Sequence, residues 1–168
     1  MSKFFAVLIL VFLSAVPVFA NSVPASEIVK NLPDFQSVNC KYSQVRTFGS
    51  TKIKSGGDFK FVKGKGVWFM TTYPVSASSS YTSSNNKYIN NIILALTKKN
   101  FSALDKDFEF FMSKHQNVWT LKLVPKNPSI KNHIDSIVVH GNSEYITAIE
   151  FSQVNPASYT DIKFDFGG

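Results

Sequence analysis

Residues 56–74 read GGDFKFVKGKGVWFMTTYP, and this stretch decides the fold. From Asp58 to Lys63, aromatic and polar residues alternate with the two-residue period of a β-strand whose faces differ. The triplet Gly-Lys-Gly at 64–66 tolerates positive φ, so the chain can reverse there. The run from Val67 is rich in β-branched and aromatic residues until Pro74 ends it. We therefore expect a hairpin with large apolar groups on one face.

The segments around this hairpin carry strand periods and short helical patterns. Two helices are predicted, one over 26–32 capped by Ser26 and one over 92–100 capped by Asn90 or Asn91, with single turns over 101–104 and 129–132. A weak strand pair is predicted around an Asn85-Asn86 turn. The other predicted strands cover 39–48, 108–112, 119–124, 134–140, 145–154 and 160–166. Short connections between strands indicate an antiparallel sheet, and only short helices are available to cover its apolar face. We expect a mainly β (α+β) fold, a single curled antiparallel sheet or incomplete β-barrel covered by two or three short helices.

The first 20 residues have the pattern of a secretory signal peptide. Lys3 precedes an apolar run from Phe4 to Phe19, and small residues fit a cut after Ala20. The run is shorter than a membrane span, and an uncleaved anchor is the alternative. We expect residues 1–20 to be removed and residues 21–168 to form one domain. Export without a possible intrachain disulfide suits the bacterial periplasm, because Cys40 is the only cysteine.

The charge of the chain bounds its partners. The formal net charge is +7, which favours anionic partners such as phospholipid head groups. Nucleic acid is not expected, because the protein is predicted to be exported and its lysines are dispersed. The densest set is interpreted as a solvated sheet face that also hinders edge-to-edge pairing: Lys52, Lys54, Lys60, Lys63 and Lys65. Cys40 is expected to be a small buried side chain rather than a reactive thiol.

The sequence carries no motif typical of catalysis or of a cofactor. Its three histidines lie in different predicted elements, and no spacing typical of a metal site is present. Asp105, Asp107 and Glu109 alternate but lack the glycine and the closing glutamate of a calcium loop. No serine lies in a nucleophile motif, although a triad assembled in space would leave no such trace. We expect a binding protein rather than an enzyme, with no metal and no cofactor.

The order of the motifs resembles the LolA-like family of periplasmic outer-membrane lipoprotein carriers. The matching segments are Tyr42-Ser43-Gln44 in the first strand, the Ser-Gly strand from Ser55 to Phe61, Lys63 at a basic turn, the strand from Trp68 to Pro74, the helical part from Leu94 to Phe108, the strand from Trp119 to Lys126, and the closing strands at Ile149–Phe151 and Thr160–Phe164. The short LolA-like branch is the nearer likeness, because Lys63 stands where LolA carries Arg and residues 84–86 replace an Asp-Gly turn. The resemblance spans residues 26–166.

The resemblance implies an incomplete barrel with a helical lid over an apolar cavity for acyl chains. The implied function is a periplasmic carrier that moves an acylated lipoprotein or lipid from an inner-membrane donor complex to an outer-membrane acceptor, as a monomer. The alternative is a LolA-like sensor or interaction module that transports nothing, and a lipid hydrolase is a more distant third.

The candidate ligand-binding residues are those expected on the apolar side of the sheet and on the lid. They are Phe59, Phe61, Trp68, Met70, Trp119, Leu121, Phe151, Ile162 and Phe164 on strands, and Ile28, Leu32, Ile93 and Leu96 on helices. Each could instead be ordinary core packing. Lys63 and Lys65 are candidates for contact with an acidic partner or head group, or are simply solvated.

Overall fold

The computed structural model describes residues 21–80 and 87–167. Its elements are α1 (Ala25–Asn31), β1 (Val38–Phe48), β2 (Thr51–Val62), β3 (Gly66–Tyr73), β4 (Ala77–Ser80), α2 (Lys87–Thr97), α3 (Ser102–Asp105), β5 (Phe108–His115), β6 (Val118–Pro125), α4 (Pro128–Lys131), β7 (Ile134–Gly141), β8 (Ile146–Gln153) and β9 (Ser158–Asp165). Within these ranges no helix has the length and hydropathy that crossing a membrane requires. The predicted signal peptide and the Asn85-Asn86 turn lie outside the described residues.

The described strands form one antiparallel sheet. Its order is β4-β3-β2-β1-β9-β8-β7-β6-β5. The first and the last of these strands in the sequence, β1 and β9, are therefore neighbours in the middle of the sheet. β4 and β5 stand at the two edges, and the described sheet does not close into a barrel. The predicted fold class, a single unclosed antiparallel sheet with a few short helices, is confirmed.

One face of the sheet, called here the inner face, carries the buried side chains. β9 shows the alternation most clearly, since Ser158, Thr160, Ile162 and Phe164 are buried and the residues between them are not. The helices cover this face with apolar side chains from each of them. These include Ile28 of α1, Ile92, Ile93 and Leu96 of α2, Leu104 of α3 and Ile130 of α4. The core is therefore a single layer between the sheet and four short helices.

Several predicted boundaries are wrong for identifiable reasons. α1 is preceded by Pro24, which makes no side-chain cap, so Ser26 lies inside the helix. α2 begins at Lys87, and Asn90 is a fully buried helical residue rather than a cap. β2 begins at Thr51 and pairs with β1 from Thr51 to Phe61, so the Gly56-Gly57 pair lies inside a strand. The ladder with β3 shifts register at this pair, which is where a β-bulge accommodates glycine.

Candidate ligand-binding site

The β2–β3 hairpin separates its aromatic residues between two faces. Phe59 lies directly opposite Phe69, while Met70 lies opposite Asp58 and Trp68 opposite Lys60. Phe59 and Phe69 are buried on the inner face, whereas 54% of Met70 is exposed. The prediction that Trp68 and Met70 lie on the same apolar side as Phe59 and Phe61 is therefore wrong. A three-residue loop joins Val62 to Gly66, so odd-numbered residues pair with odd-numbered residues.

Aromatic rings of β1, β2, β3 and β9 line the inner face. The Phe59 ring lies 4.5 Å from that of Phe164 and 5.0 Å from that of Phe69, measured between centroids. Tyr42 meets Phe69 edge to face at 5.2 Å, and its hydroxyl is 2.6 Å from Thr71 Oγ1. The cluster joins four neighbouring strands, β3, β2, β1 and β9. Such rings present an apolar wall with one satisfied polar group.

A small void lies between this wall, α2 and the segment that follows α1. It is lined by Phe35, Gln36, Val38, Phe59, Phe61, Ile93, Thr97, Glu144, Tyr145, Ile146, Phe164 and Phe166. Its volume is about 20 Å³, which is room for about one water molecule. At this void the inner face is thus almost completely filled by the protein's own side chains in this conformation.

The lid, which here means α1, α2 and the residues beside them, makes polar contacts that include one ion pair and one backbone hydrogen bond. The Lys99 ammonium at the end of α2 pairs with Asp34 at 3.3 Å, and both groups are partly exposed. The Val23 amide donates to the Phe110 carbonyl at 2.8 Å, which ties the approach to α1 to the edge strand β5. Phe35 packs edge to face on Trp119 at 6.0 Å. An exposed ion pair contributes little, so apolar packing is the main force that keeps the lid closed.

The structure gathers only part of the predicted site around the void. Four predicted residues line it, namely Phe59, Phe61, Ile93 and Phe164. The others on the inner face or lid are buried or half-buried in the same core: Ile28, Leu32, Leu96, Trp119, Leu121, Phe151 and Ile162. Their role in binding a ligand stays a prediction.

Sequence reasoning missed most of the void lining. Phe35 lies between α1 and β1, in a segment without a periodic pattern of its own, and Val38 is the first residue of β1. Tyr145 lies just before β8, where its ring stacks on Phe166 at 4.2 Å. Phe166 belongs to the alternation of β9, because it continues the series of Ile162 and Phe164. That alternation is the one signal from which part of this lining could have been found.

A larger groove lies on the opposite, outer face of β1–β3. Its volume is about 660 Å³, and its lining residues are Asn39, Asp58, Lys60, Val62, Lys65, Trp68 and Met70. The predicted partner-binding lysines are both exposed at the β2–β3 turn, and Lys65 reaches the groove while Lys63 does not line it. The wall combines apolar side chains with lysines. An interaction surface commonly has this composition.

Cys40 lies on the inner face of β1, opposite Phe59, with 9% of its surface exposed. Burial, and then the nearby charge of Asp165, raises the pKa of the Cys40 thiol from 9.0 to about 11. The prediction of a small buried side chain is confirmed by this placement. The raised pKa means that the fold prefers the neutral thiol.

This preference predicts a pH effect on stability. The contribution of Cys40 is fully present below the pKa of the unfolded thiol, 9.0, and is lost as the pH rises towards the folded value of about 11. Relative to Cys40→Ser, the wild type should lose up to about 2–3 kcal/mol of unfolding free energy over that window. Urea unfolding of both proteins across this pH range measures the difference. Parallel curves for the two proteins would contradict the burial of the thiol.

The described residues contain no cluster of metal-binding side chains. Within residues 21–80 and 87–167, no group of three or more His, Cys, Asp or Glu side chains is arranged to hold a metal ion. His140 is engaged on the outer face, with Nε2 3.0 Å from Glu150 and Nδ1 3.2 Å from Thr120. These contacts link three strand residues of β6, β7 and β8.

Comparison with known proteins finds similar solved structures but no matching sequence. No family model matches the sequence, and no curated protein matches it either. Two similar solved structures are a LolA superfamily protein from Nitrosomonas europaea (10% identity, TM-score 0.37, 86% of this chain and 92% of that one) and a domain described as an outer membrane lipoprotein-sorting protein domain from Vibrio parahaemolyticus (11%, 0.37, 84% and 88%). The chain is similar to LolA-like proteins. A DUF1329 family protein from Desulfovibrio piger is also similar (10%, 0.32, 84% and 88%).

At these identities the likeness is one of fold. The Nitrosomonas europaea structure bears the name LolA, which the order of motifs also suggested. The function of the chain is therefore argued below from its own inner face, its void and its outer groove.

Proposed function

We propose that the protein is a periplasmic carrier that binds the acyl chains of a lipoprotein or lipid against its inner face and moves them from the inner to the outer membrane. An inner-membrane donor and an outer-membrane acceptor are the partners that this role requires. The observation that carries the proposal is the apolar cluster of the inner face under a lid of short helices.

The lid is built so that displacing it is energetically feasible. α1 has 7 residues and α2 has 11, lengths at which an isolated helix is marginal in water, so each depends on the apolar surface beneath it. An acyl chain gains about 0.8 kcal/mol for each CH₂ that leaves water. An acyl chain that replaces a helix on the inner face therefore covers much of the apolar surface that the displaced helix would leave exposed to water. The void beside Ile93 and Thr97 marks where the seal is already incomplete.

One observation favours a second candidate, a LolA-like sensor or interaction module that transports nothing. The void holds about 20 Å³, far too little for an acyl chain, whereas the outer groove holds about 660 Å³. A module with a permanently filled interior would use the outer groove of Trp68 and Met70 to bind a partner. The carrier requires the lid to move, and the module does not.

A matched pair of valines distinguishes the two functions. Val38 and Val62 are both half-buried and lie on adjacent strands, but Val38 lines the void while Val62 lines the outer groove. Val38→Glu places a carboxylate at the proposed acyl site, where burying an unpaired charge is costly. We expect Val38→Glu to weaken binding of an apolar fluorescent probe by roughly tenfold or more, and Val62→Glu to leave it unchanged. Fluorescence titration of the two variants and the wild type measures this.

The controls separate a lost site from a lost fold. Circular dichroism must show equal strand content in the two variants, and lipid that co-purifies from periplasm is identified by mass spectrometry in each. Probe binding that is lost in Val62→Glu and kept in Val38→Glu would overturn the carrier and favour the module. Binding of neither probe nor lipid by the folded wild type would do the same.

A further inference from the structure

We propose that Arg46 binds the anionic head group, a carboxylate or phosphate, of an amphiphile whose chain lies along the inner face. This inference rests on the proposed function, because it names the class of ligand that the carrier takes. It concerns the end of the sheet remote from the void, near the β1–β2 turn. Arg46 lies eight positions along β1 from Val38 at the void, a span of about 26 Å at the usual rise of a strand.

Arg46 lies on the inner face among polar and apolar neighbours. It stands opposite Ile53 of β2 and Thr160 of β9. Gln44, two residues earlier on the same face of β1, stands opposite Ile162. Its Nη2 donates to Gln153 Oε1 at 3.0 Å, and that oxygen also accepts from Ser158 Oγ at 2.8 Å. The guanidinium carbon lies 4.4 Å from the centre of the Phe48 ring. Two neutral contacts therefore fix the orientation of the cation.

No carboxylate neutralises this cation among the residues that the structure describes. Glu150 of β8 and Asp161 of β9 lie opposite each other and contact His140 and Lys163 instead. The Nε atom of Arg46 is buried and has no hydrogen-bond acceptor within the described chain. A partly buried cation without a counter-charge is costly, and a ligand anion would supply both the charge and the missing acceptor.

The choice of residue supports the same inference. Arg46 is the only arginine in the sequence, and every other basic side chain outside histidine is lysine. The outward-facing lysines of β2, such as Lys54, are exposed. A guanidinium stays charged when buried and presents a planar edge that pairs with two oxygens of a carboxylate or phosphate. Nη2 belongs to both edges of the guanidinium and carries two hydrogens, so donation to Gln153 leaves one of them, together with the Nε hydrogen, for such an anion.

The test compares two amphiphiles that differ only at the head. Hexadecenoate and hexadecenol have the same chain, and displacement of an apolar fluorescent probe reports the affinity of each. We expect the wild type to prefer the carboxylate by roughly tenfold or more, the usual worth of a charge-assisted hydrogen bond. Arg46→Gln should remove this preference and leave the alcohol affinity unchanged, and Arg46→Lys should restore part of it. Lys54→Gln removes the same charge from the outer face of the adjacent strand and should behave as the wild type.

Each outcome bears on one claim. Equal affinity of the wild type for both amphiphiles, or a preference that survives in Arg46→Gln, overturns the anion site while the carrier stands. Displacement of hexadecenoate by inorganic phosphate at equal concentration shows a site for free anions and overturns the head-group assignment. If thermal unfolding of Arg46→Gln shifts while the preference is kept, Arg46 only links β1 to β8. Binding of neither amphiphile refutes the carrier, and the anion site with it.

Discussion

Gly57→Ala is expected to lower the unfolding free energy by about 3 kcal/mol or more, because the backbone of the neighbouring strand occupies the place of the new methyl group. A Cβ atom at Gly57 would overlap the Met70 carbonyl oxygen and would lie only 2.9 Å from Thr71 Cα. Neither atom belongs to a flexible side chain, so relief requires β2 and β3 to separate at the bulge. Urea unfolding followed by circular dichroism measures the loss.

The position of Gly57 within the sheet adds to this effect. Gly57 pairs with Tyr42 on one side and with Thr71 on the other, and the hydroxyls of these two residues meet 2.6 Å apart across it. A methyl group there would push against the side chains that close over the glycine. Ser55→Ala is the matched control, since it changes a half-buried residue of the same strand and is expected to shift stability by no more than about 0.5 kcal/mol. Equal stability of the two variants would show that the strands are not in close contact at the bulge.

The fold could be predicted from alternation because most of its strands have one buried face. β9 shows this plainly, with Ile162 and Phe164 buried and charged residues between them. The alternation shows the strand only from Asp58, because Gly56 and Gly57 have no side chains to continue it, although both lie inside β2. Glycine marks a turn and a bulge equally well, and only the partner strand distinguishes the two. The start of α2 was predicted wrongly for a similar reason. The side chain of Asn90 is of a type that often caps helices, but Asn90 is a buried residue inside α2.

The site was harder to predict than the fold. β3 is apolar on both faces, so its own pattern cannot say whether Trp68 or Phe69 points inward. The parity of the hairpin loop decides it, since three loop residues place Phe69 opposite Phe59. Arg46 carried a compositional signal, its being the only arginine, but its face follows only from the pairing of β1 with β9. Properties that depend on how the lid packs, such as the volume of the void, have no counterpart in a sequence period.

Labelling of Cys40 by a thiol reagent at about pH 8 is expected to be at least about a hundredfold slower in the folded protein than in the unfolded one. With a pKa of about 11 rather than 9.0, the thiolate fraction falls by about a hundredfold. The greater nucleophilicity of a more basic thiolate restores roughly tenfold of the rate. Burial under the lid then slows access by a further factor, because 9% of the residue is exposed. The rate should keep rising past the point, near pH 9, at which the unfolded thiol levels off.

The same measurement tests whether the lid moves, since Cys40 is the only cysteine and lies on the inner face opposite Phe59. An apolar ligand that enters beneath α2 should change the labelling rate at constant pH, whereas a ligand confined to the outer groove should leave it unchanged. Val62→Glu should not alter the response, and Val38→Glu should abolish it. The guanidinium-unfolded protein gives the rate of the free thiol. A folded protein that reacts at this rate without ligand would have an inner face already open to water, and the closed lid described here would be wrong.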